Sequence, residues 1–255
     1  MPAINDEIIR NLYGGVSPFV TAQRRFIDDN YPHTNIRDAL IDYLIQTYRP
    51  TFWLELGSFV GGSAIKVAES IKKYEAATGV VCCDPFCGDV NMWSWEVEGS
   101  DIAGKNGVPY EFLGLENGIP TIYQRFLANV VFNGHSDVII PIQATSIIGV
   151  GLVERLYKQK RITVVPSVVY LDSAHEAHET YLELEYAWRL LPRGGILFGD
   201  DWDYFPGVKK DVLRFSRRVS IDRKRLNEAS RKFAGSKTTR NIFLYDGQWV
   251  LFKKN

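Results

Sequence analysis

Asp172, His175, Asp200 and Asp201 are the residues whose types and spacing point most directly to chemistry. Asp172 ends the apolar run Val168, Val169, Tyr170, Leu171, and Asp200-Asp201 ends the run Ile196, Leu197, Phe198, Gly199. Short continuous apolar runs mark strands buried on both faces. Between them Leu182, Tyr186, Ala187 and Leu190 fall at helical spacing, and the turn at 192–195 breaks that helix. A strand–helix–strand unit of this length makes a parallel pair with a right-handed crossover. All three carboxylates then reach one edge, outside the carboxyl ends of the strands, where open α/β sheets bind ligands. Together they repel unless a positive charge neutralises them. A hard divalent cation, Mg²⁺ or Mn²⁺, does this and keeps positions open for water or substrate. His175 stands three residues after Asp172, on the same turn. The plainer reading is that Asp172 caps a helix and Asp200-Asp201 is a solvated turn. The joint strand-end placement favours a site.

A second constellation lies upstream. Phe52 to Leu56 reads as the first strand and runs into a Gly-rich turn with Gly57, Ser58, Gly61, Gly62 and Ser63, then a helix over 64–73. Such a turn between first strand and first helix cradles a cofactor. Dinucleotide loops need glycine where this chain has Phe59, so a ligand without a pyrophosphate fits better. Glu55 is placed to receive a cationic group. Both features suit S-adenosylmethionine. Asp84, ending the next strand (79–83), is placed for ribose hydroxyls. Gln143 and Ser146, after a third strand over 137–142, are placed beside the cofactor's base. The expected cofactor set is Glu55, Gly57, Ser58, Gly61, Ser63, Asp84, Gln143, Ser146 and Asp172.

The surrounding elements agree with one α/β domain of 255 residues. Residues 35–48 form an amphipathic helix feeding the first strand, and residues 1–35 cover the domain or meet a partner subunit, which leaves a homo-oligomer open. Residues 87–118 break the α/β rhythm. They are Gly-rich with Trp93, Trp95, Tyr110 and Phe112, as expected of a substrate loop or lid. Trp93 and Trp95 suit stacking on a sugar face or an aromatic substrate, or a satellite core. Ten basic residues between Lys209 and Lys232 read as a solvated helical face, with an RNA or phosphosugar surface as the sharper alternative. Asp246-Gly247 between two apolar runs signals a closing hairpin.

Composition excludes several classes. Lys+Arg and Asp+Glu are 30 each, which argues against bulk capture of nucleic acid or anionic membrane. No apolar run approaches a membrane span, and the N-terminus lacks a signal core. Cys82, Cys83 and Cys87 make neither a disulfide framework nor a zinc pattern and read as reduced thiols in a cytoplasmic setting.

The stretches 55–64 (ELGSFVGGSA), Asp84, 172–175 (DSAH), 193–202 (RGGILFGDDW) and the terminal hairpin, in this order, resemble the class I S-adenosylmethionine-dependent methyltransferases. More narrowly the chain is similar to the metal-dependent sugar O-methyltransferases, the macrocin, mycinamicin and rhamnosyl group. The resemblance implies a Rossmann-like, mostly parallel seven-stranded sheet with a C-terminal antiparallel hairpin and helices on both faces. It also implies Mg²⁺ on Asp172, Asp200 and Asp201, with His175 as general base, so that His175 and Asp172 form the catalytic pair. Catechol-type relatives usually carry Lys in place of His175 and Asn in place of Asp201, which favours a sugar or glycan acceptor. A catechol or RNA methyltransferase and a non-catalytic binding module are the rival readings.

Overall fold

The computed structural model describes residues 1–28, 34–93, 109–173 and 175–255. Its strands in chain order are β1 (Phe52–Leu56), β2 (Gly79–Asp84), β3 (Leu115–Glu116), β4 (Ile119–Pro120), β5 (Ile139–Gln143), β6 (Val168–Leu171), β7 (Ile196–Gly199), β8 (Lys237–Thr239), β9 (Ile242–Tyr245) and β10 (Gln248–Phe252). β3 and β4 form a small separate ribbon, and the other eight make one sheet in the order β5-β2-β1-β6-β7-β10-β9-β8. The five from β5 to β7 are parallel. β10 runs antiparallel between β7 and β9, and β8 adds antiparallel to β9. The expected α/β fold with a closing hairpin is present, with one strand more than the seven expected. That strand, β8, is Lys-Thr-Thr on the outer edge, and three polar residues carry no apolar pattern to read.

Every position of β1, β2, β6, β7 and β10 is buried, so the sheet is covered on both faces. The helices are α1 (Ala3–Leu12), α2 (Asp38–Tyr48), α3 (Gly62–Lys73), α4 (Val90–Trp93), α5 (Ile122–Phe132), α6 (Ser146–Lys158), α7 (Glu179–Leu190), α8 (Pro206–Ser216) and α9 (Arg223–Lys232). Residues before 35, which showed no clear pattern in the sequence, hold α1. There Ile4 and Ile8 are buried, and Asn5 donates from Nδ2 to the Asp137 and Val138 carbonyls. Helix α7 differs in phase from the spacing read in the sequence. It buries Thr180, Glu183, Leu184, Ala187 and Leu190, while Leu182 points outward and is exposed. A carboxylate therefore occupies an inward position of this helix.

Four of the ten basic residues in this stretch rest on the protein's own rings. Lys209 lies over Trp202, Arg214 over Tyr181, Arg225 over Tyr48 and Lys232 over Tyr43, at 4.3 to 5.4 Å from the ring centroids. These cations seat α8 and α9 through their alkyl stems and ring faces. No helix among the described residues is long and apolar enough to cross a membrane. Residues 94–108, including Trp95, lie outside the described residues. Of the proposed lid, α4 and the ribbon are described, with Trp93 44% exposed and set edge-on to Tyr110.

The strand order reverses between β1 and β6, because the chain steps outward from β1 to β2 and β5 and then crosses back. Open α/β sheets bind ligands at this crevice. The strands end there in one row. Gly57 donates to the Cys83 carbonyl at 2.9 Å, Asp172 to Leu56 at 2.9 Å, and Asp200 to Leu171 at 3.2 Å. Gly57 has φ +84°, and a Cβ on it would stand 2.1 Å from the Asp172 carbonyl oxygen. Replacing Gly57 with Ala is thus expected to destabilise the fold by about 2–4 kcal/mol, from left-handed strain and a backbone clash together. Urea unfolding of Gly57→Ala checks this, and a loss under about 0.5 kcal/mol would show that the two strand ends are not locked together.

Candidate active site

Asp172 leaves β6 and Asp200-Asp201 leaves β7, side by side, because Leu171 is in register with Gly199. Neither is what the plainer reading required. Helix α7 begins at Glu179 with His178 at its N-cap, so Asp172 is too far back to cap it. Asp200 and Asp201 are buried rather than solvated. Asp201 holds a left-handed φ of 66°, which is costly for a non-glycine residue and is found where the surrounding structure enforces it. Its N–H donates to Asp200 Oδ1 at 2.9 Å, and Trp249 Nε1 donates to the Asp200 carbonyl at 3.0 Å.

Among the described residues, one set of potential metal-ligating groups comes together: Asp172, His175 and Asp201, each offering an atom within 4.8 Å of the others. His175 Nε2 lies 3.0 Å from Asp201 Oδ2. Asp200 falls outside this triad but lines the same small cavity, of about 10 Å³, with Asp172, Asp201 and Glu183. That is room for one water-sized body. The arrangement fits a divalent ion chemically, since the two carboxylates of the triad suit a hard cation and the acids around them need countercharge. Relative to the ligand set expected from the sequence, the geometry puts His175 in the triad where Asp200 was expected.

The electrostatics follow from burial and repulsion. Burial pushes the Asp172 carboxyl well above the usual carboxylate range, the neighbouring Asp201 pushes it further, and His175 and the Tyr170 hydroxyl, donating at 3.0 Å, pull it partly back. Asp200 is raised by burial and then by Asp172 and Asp201. Burial pulls the His175 imidazole down, but hydrogen bonds to Asp201 and Asp89 outweigh this and hold it well above its ordinary value. In this state the imidazole is a cation bracketed by carboxylates, and a proton-accepting role requires Asp201 to be engaged elsewhere.

The residues expected to bind the cofactor lie at or just after the carboxyl ends of β1, β2, β5 and β6, with different individual contacts. Glu55, the only charged residue of β1, is fully buried; its Oε1 accepts from Ser63 Oγ at 2.9 Å. Its Oε2 has no partner, nor has the buried Ser58 Oγ. Buried polar atoms are almost always paired, so orphans beside the Gly57–Gly61 turn fit a site completed by a cationic ligand such as S-adenosylmethionine. Gly61, with φ +94°, packs too close to the Phe126 ring for a side chain to be added without strain. Asp84, expected at the ribose, also binds backbone: Oδ2 accepts from the Ser58 and Phe59 N–H groups at 2.8 Å each, and Oδ1 from Phe86 N–H. It fastens the turn to β2, which the sequence could not show because the contact depends on how the turn folds back. Oδ1, which takes one N–H, still has a second lone pair for a ligand hydroxyl. Gln143 is exposed at the end of β5, in register with Asp84. Ser146 is buried, and its hydroxyl helps to hold down the Glu183 carboxyl, which burial raises.

Sequence reasoning missed Asp89, Glu183 and Phe205. Asp89 Oδ2 lies 2.9 Å from His175 Nδ1, and the Phe205 ring stacks on the imidazole at 4.3 Å and 22°. Ser173 Oγ donates to both Glu183 oxygens, at 2.8 and 2.9 Å. Glu183 alone left a signal, as an acid at an inward helical phase.

Burial raises the Glu55 carboxyl to about 8 from an ordinary 4.5, against the opposing pull of the nearby Ser58 and Ser63 hydroxyls. Below pH 4.5 folded and unfolded chains are both protonated there, and stability does not depend on pH through this group. Between 4.5 and 8 the unfolded chain loses the proton while the folded one keeps it, so this contribution to stability falls as pH rises and levels off above about 8. Glu55→Gln removes that dependence. Its stability relative to wild type is expected to rise by up to a few kcal/mol from pH 4.5 to pH 8. A difference curve from urea unfolding that stays flat across this window would show that Glu55 is ionised in the fold.

The family model described as "Methyltransferase domain" matches residues 54–202. A search of curated proteins finds no match. Among solved structures, the chain is similar to a protein of Klebsiella pneumoniae assigned as an O-methyltransferase, with TM-score 0.52, 13% identity, and coverage of 99% of this chain and 97% of that one. It is also similar to the O-methyltransferase TomG of Streptomyces achromogenes, involved in tomaymycin synthesis and solved with S-adenosylmethionine, with TM-score 0.50, 14% identity, and coverage of 86% and 79%. At these identities the likeness is one of fold. The family match is of another kind: it spans more than half the chain and takes in the Gly57 turn, Asp84, Asp172, His175 and Asp201. On that match this chain belongs to the methyltransferase domain family.

Proposed function

We propose that the chain is an S-adenosylmethionine-dependent O-methyltransferase that uses a divalent cation, Mg²⁺ or Mn²⁺, and accepts a sugar hydroxyl, in a deoxysugar such as rhamnose or in a glycan or glycoside. The observation that supports this best is the Asp172–His175–Asp201 triad at the switch point of the sheet, next to the turn that leaves Glu55 Oε2 unpartnered. When bound, S-adenosylmethionine supplies an electrophilic methyl group, and the cation supplies the positive charge that lowers the pKa of the acceptor hydroxyl. Asp172 and Asp201 would hold that cation, with Asp200 lining the cavity behind them. Glu55 would meet a positive group of the cofactor from below the turn, and Gly57 and Gly61 let the turn pack closely on the end of β6 and on the Phe126 ring.

His175 would take the acceptor's proton at Nε2, the nitrogen directed at Asp201. Phe205 keeps the imidazole plane fixed meanwhile. A sugar suits this site because a vicinal diol offers two oxygens at chelating distance, and because the half-exposed Trp93 ring, one helical turn from Asp89, offers an apolar platform to a pyranose face. The sequence departures from the catechol-type pattern, His175 and Asp201, weigh the same way.

Two results are expected. S-adenosylhomocysteine should bind calorimetrically to wild type and to Asp201→Asn alike, in Mg²⁺ or in EDTA; absence of binding to wild type sinks the cofactor assignment. Methyl transfer to a methyl rhamnoside should need Mg²⁺ or Mn²⁺ and drop by about 100-fold or more in Asp201→Asn, since the lost interaction acts on the transition state. Equal turnover in EDTA would remove the metal from the mechanism, and transfer to catechol but not to the glycoside would reassign the acceptor.

A further inference from the structure

Helix α5 packs against the turn after β1 through Arg125, Phe126 and Asn129. The Phe126 ring lies on Gly61, Asn129 Nδ2 donates to the Val60 carbonyl at 2.9 Å, and the Arg125 guanidinium stands 5.6 Å from the centroid of the Phe59 ring. Arg125 and Asn129, one helical turn apart on the same face, also reach the N-terminal arm. Asn129 Oδ1 accepts from the Asp28 N–H at 3.0 Å, and Arg125 Nη1 donates to Asp28 Oδ2 at 2.7 Å. Arg125 Nη2 donates to the Phe112 carbonyl as well. The Arg125 and Asp28 side chains are only 14% and 12% exposed, so salt screens their attraction far less than that of a surface pair. The arm itself is anchored, with Phe19 and Phe26 buried and Arg24 over the Phe132 ring of α5. A helix needed only to fill space would present apolar side chains here, as it does with Phe126.

We propose that Arg125 and Asn129 are positioning residues for the cofactor: they hold the Phe59–Val60 step of the turn in its binding shape, and Asp28 of the N-terminal arm sets both of them. The proposal rests on the reading of residues 57–61 as the cradle for S-adenosylmethionine. The step needs holding. Phe59 has a left-handed φ of 44°, which a bulky residue keeps only where its surroundings impose it. Asp84 takes the Ser58 and Phe59 N–H groups from the β2 side. The Phe59 ring and the Val60 carbonyl are met from the other side, by Arg125 and Asn129. A pre-shaped turn spares the ligand the cost of ordering it. Because Asp28 meets both side chains, a change in the arm reaches the cradle without touching the cofactor.

The first test needs no cofactor. Amide hydrogen exchange of the ligand-free protein is followed by mass spectrometry over residues 57–61 and, as a reference, over β5. Asp28→Asn keeps the side-chain volume and the N–H bond to Asn129 but removes the charge facing Arg125. Arg125→Lys keeps a charge facing Asp28, but one ammonium cannot also cover Phe59 and reach Phe112. Each variant is expected to exchange faster over 57–61 and at the wild-type rate over β5. In either variant that folds, wild-type exchange over 57–61, or a rise shared with β5, overturns the proposal. S-adenosylhomocysteine is then titrated calorimetrically. Each variant should bind it about 5-fold or more weakly than wild type. The double variant should bind no more weakly than the worse single one, because both act through one contact. Undiminished affinity in a variant with a loosened turn, or losses that multiply, overturns the proposal too. Failure of wild type to bind would remove the methyl-transfer reading, while the exchange rates still judge whether Asp28 and Arg125 hold the turn.

Discussion

Four carboxyl groups share one cavity with room for a single water-sized body, and the rest of this end of the molecule is arranged around that electrostatic problem. Asp172, Asp200, Asp201 and Glu183 arrive there from two strand ends and a helix. The protein supplies partial answers from its own parts. The Tyr170 hydroxyl donates to Asp172, the Ser173 hydroxyl to Glu183, and the Asp201 amide to Asp200. His175 brings a full positive charge into the cluster, held in the charged form by the carboxylates on either side, and the Arg37 charge acts on Asp200. A divalent cation and an imidazolium are thus alternative solutions to the same problem, which gives a physical reason for a histidine beside acids that also suit a metal.

The same economy governs the turn after β1. Its backbone is fixed by Asp84, whose oxygens take three N–H groups, and by the close approach of Gly57 to the end of β6. Because the turn is held by β2 and β6 rather than by Glu55, the Glu55 carboxyl can remain half-satisfied beneath it. A buried, neutralised acid with one idle oxygen destabilises the empty fold and favours a cationic ligand. The loop is rigid where it borders the sheet, and the unpaired polar atoms are left where a ligand would lie.

The basic segment from Lys209 to Lys232 shows how a charge run is resolved by packing. Four of its cations rest on Trp202, Tyr181, Tyr48 and Tyr43, and Arg225 also donates to the Gly194 carbonyl. The run binds two amphipathic helices to the body of the protein, which favours the structural reading of these residues over a nucleic-acid surface.

The linear chain by itself determined the parallel β/α framework, since continuous apolar runs ending in Asp84, Asp172 and Asp200, with helical spacing between them, have few other ways to bury themselves. It also determined the hairpin at Asp246-Gly247, whose left-handed φ values of 49° and 84° few other dipeptides accept. Strand periodicity places the ends of strands, so Asp172, Asp200 and Asp201 could be brought to one edge from sequence alone. Only the tertiary structure decided which atoms meet. The phase of α7 turned Glu183 inward and Leu182 outward, the fold-back of the turn gave Asp84 to three backbone amides, and a contact across 86 residues put Asp89 on His175. Periodicity reports burial, averaged over a face. Hydrogen-bond partnership depends on side-chain direction at ångström scale between segments distant in sequence, and no local pattern encodes it.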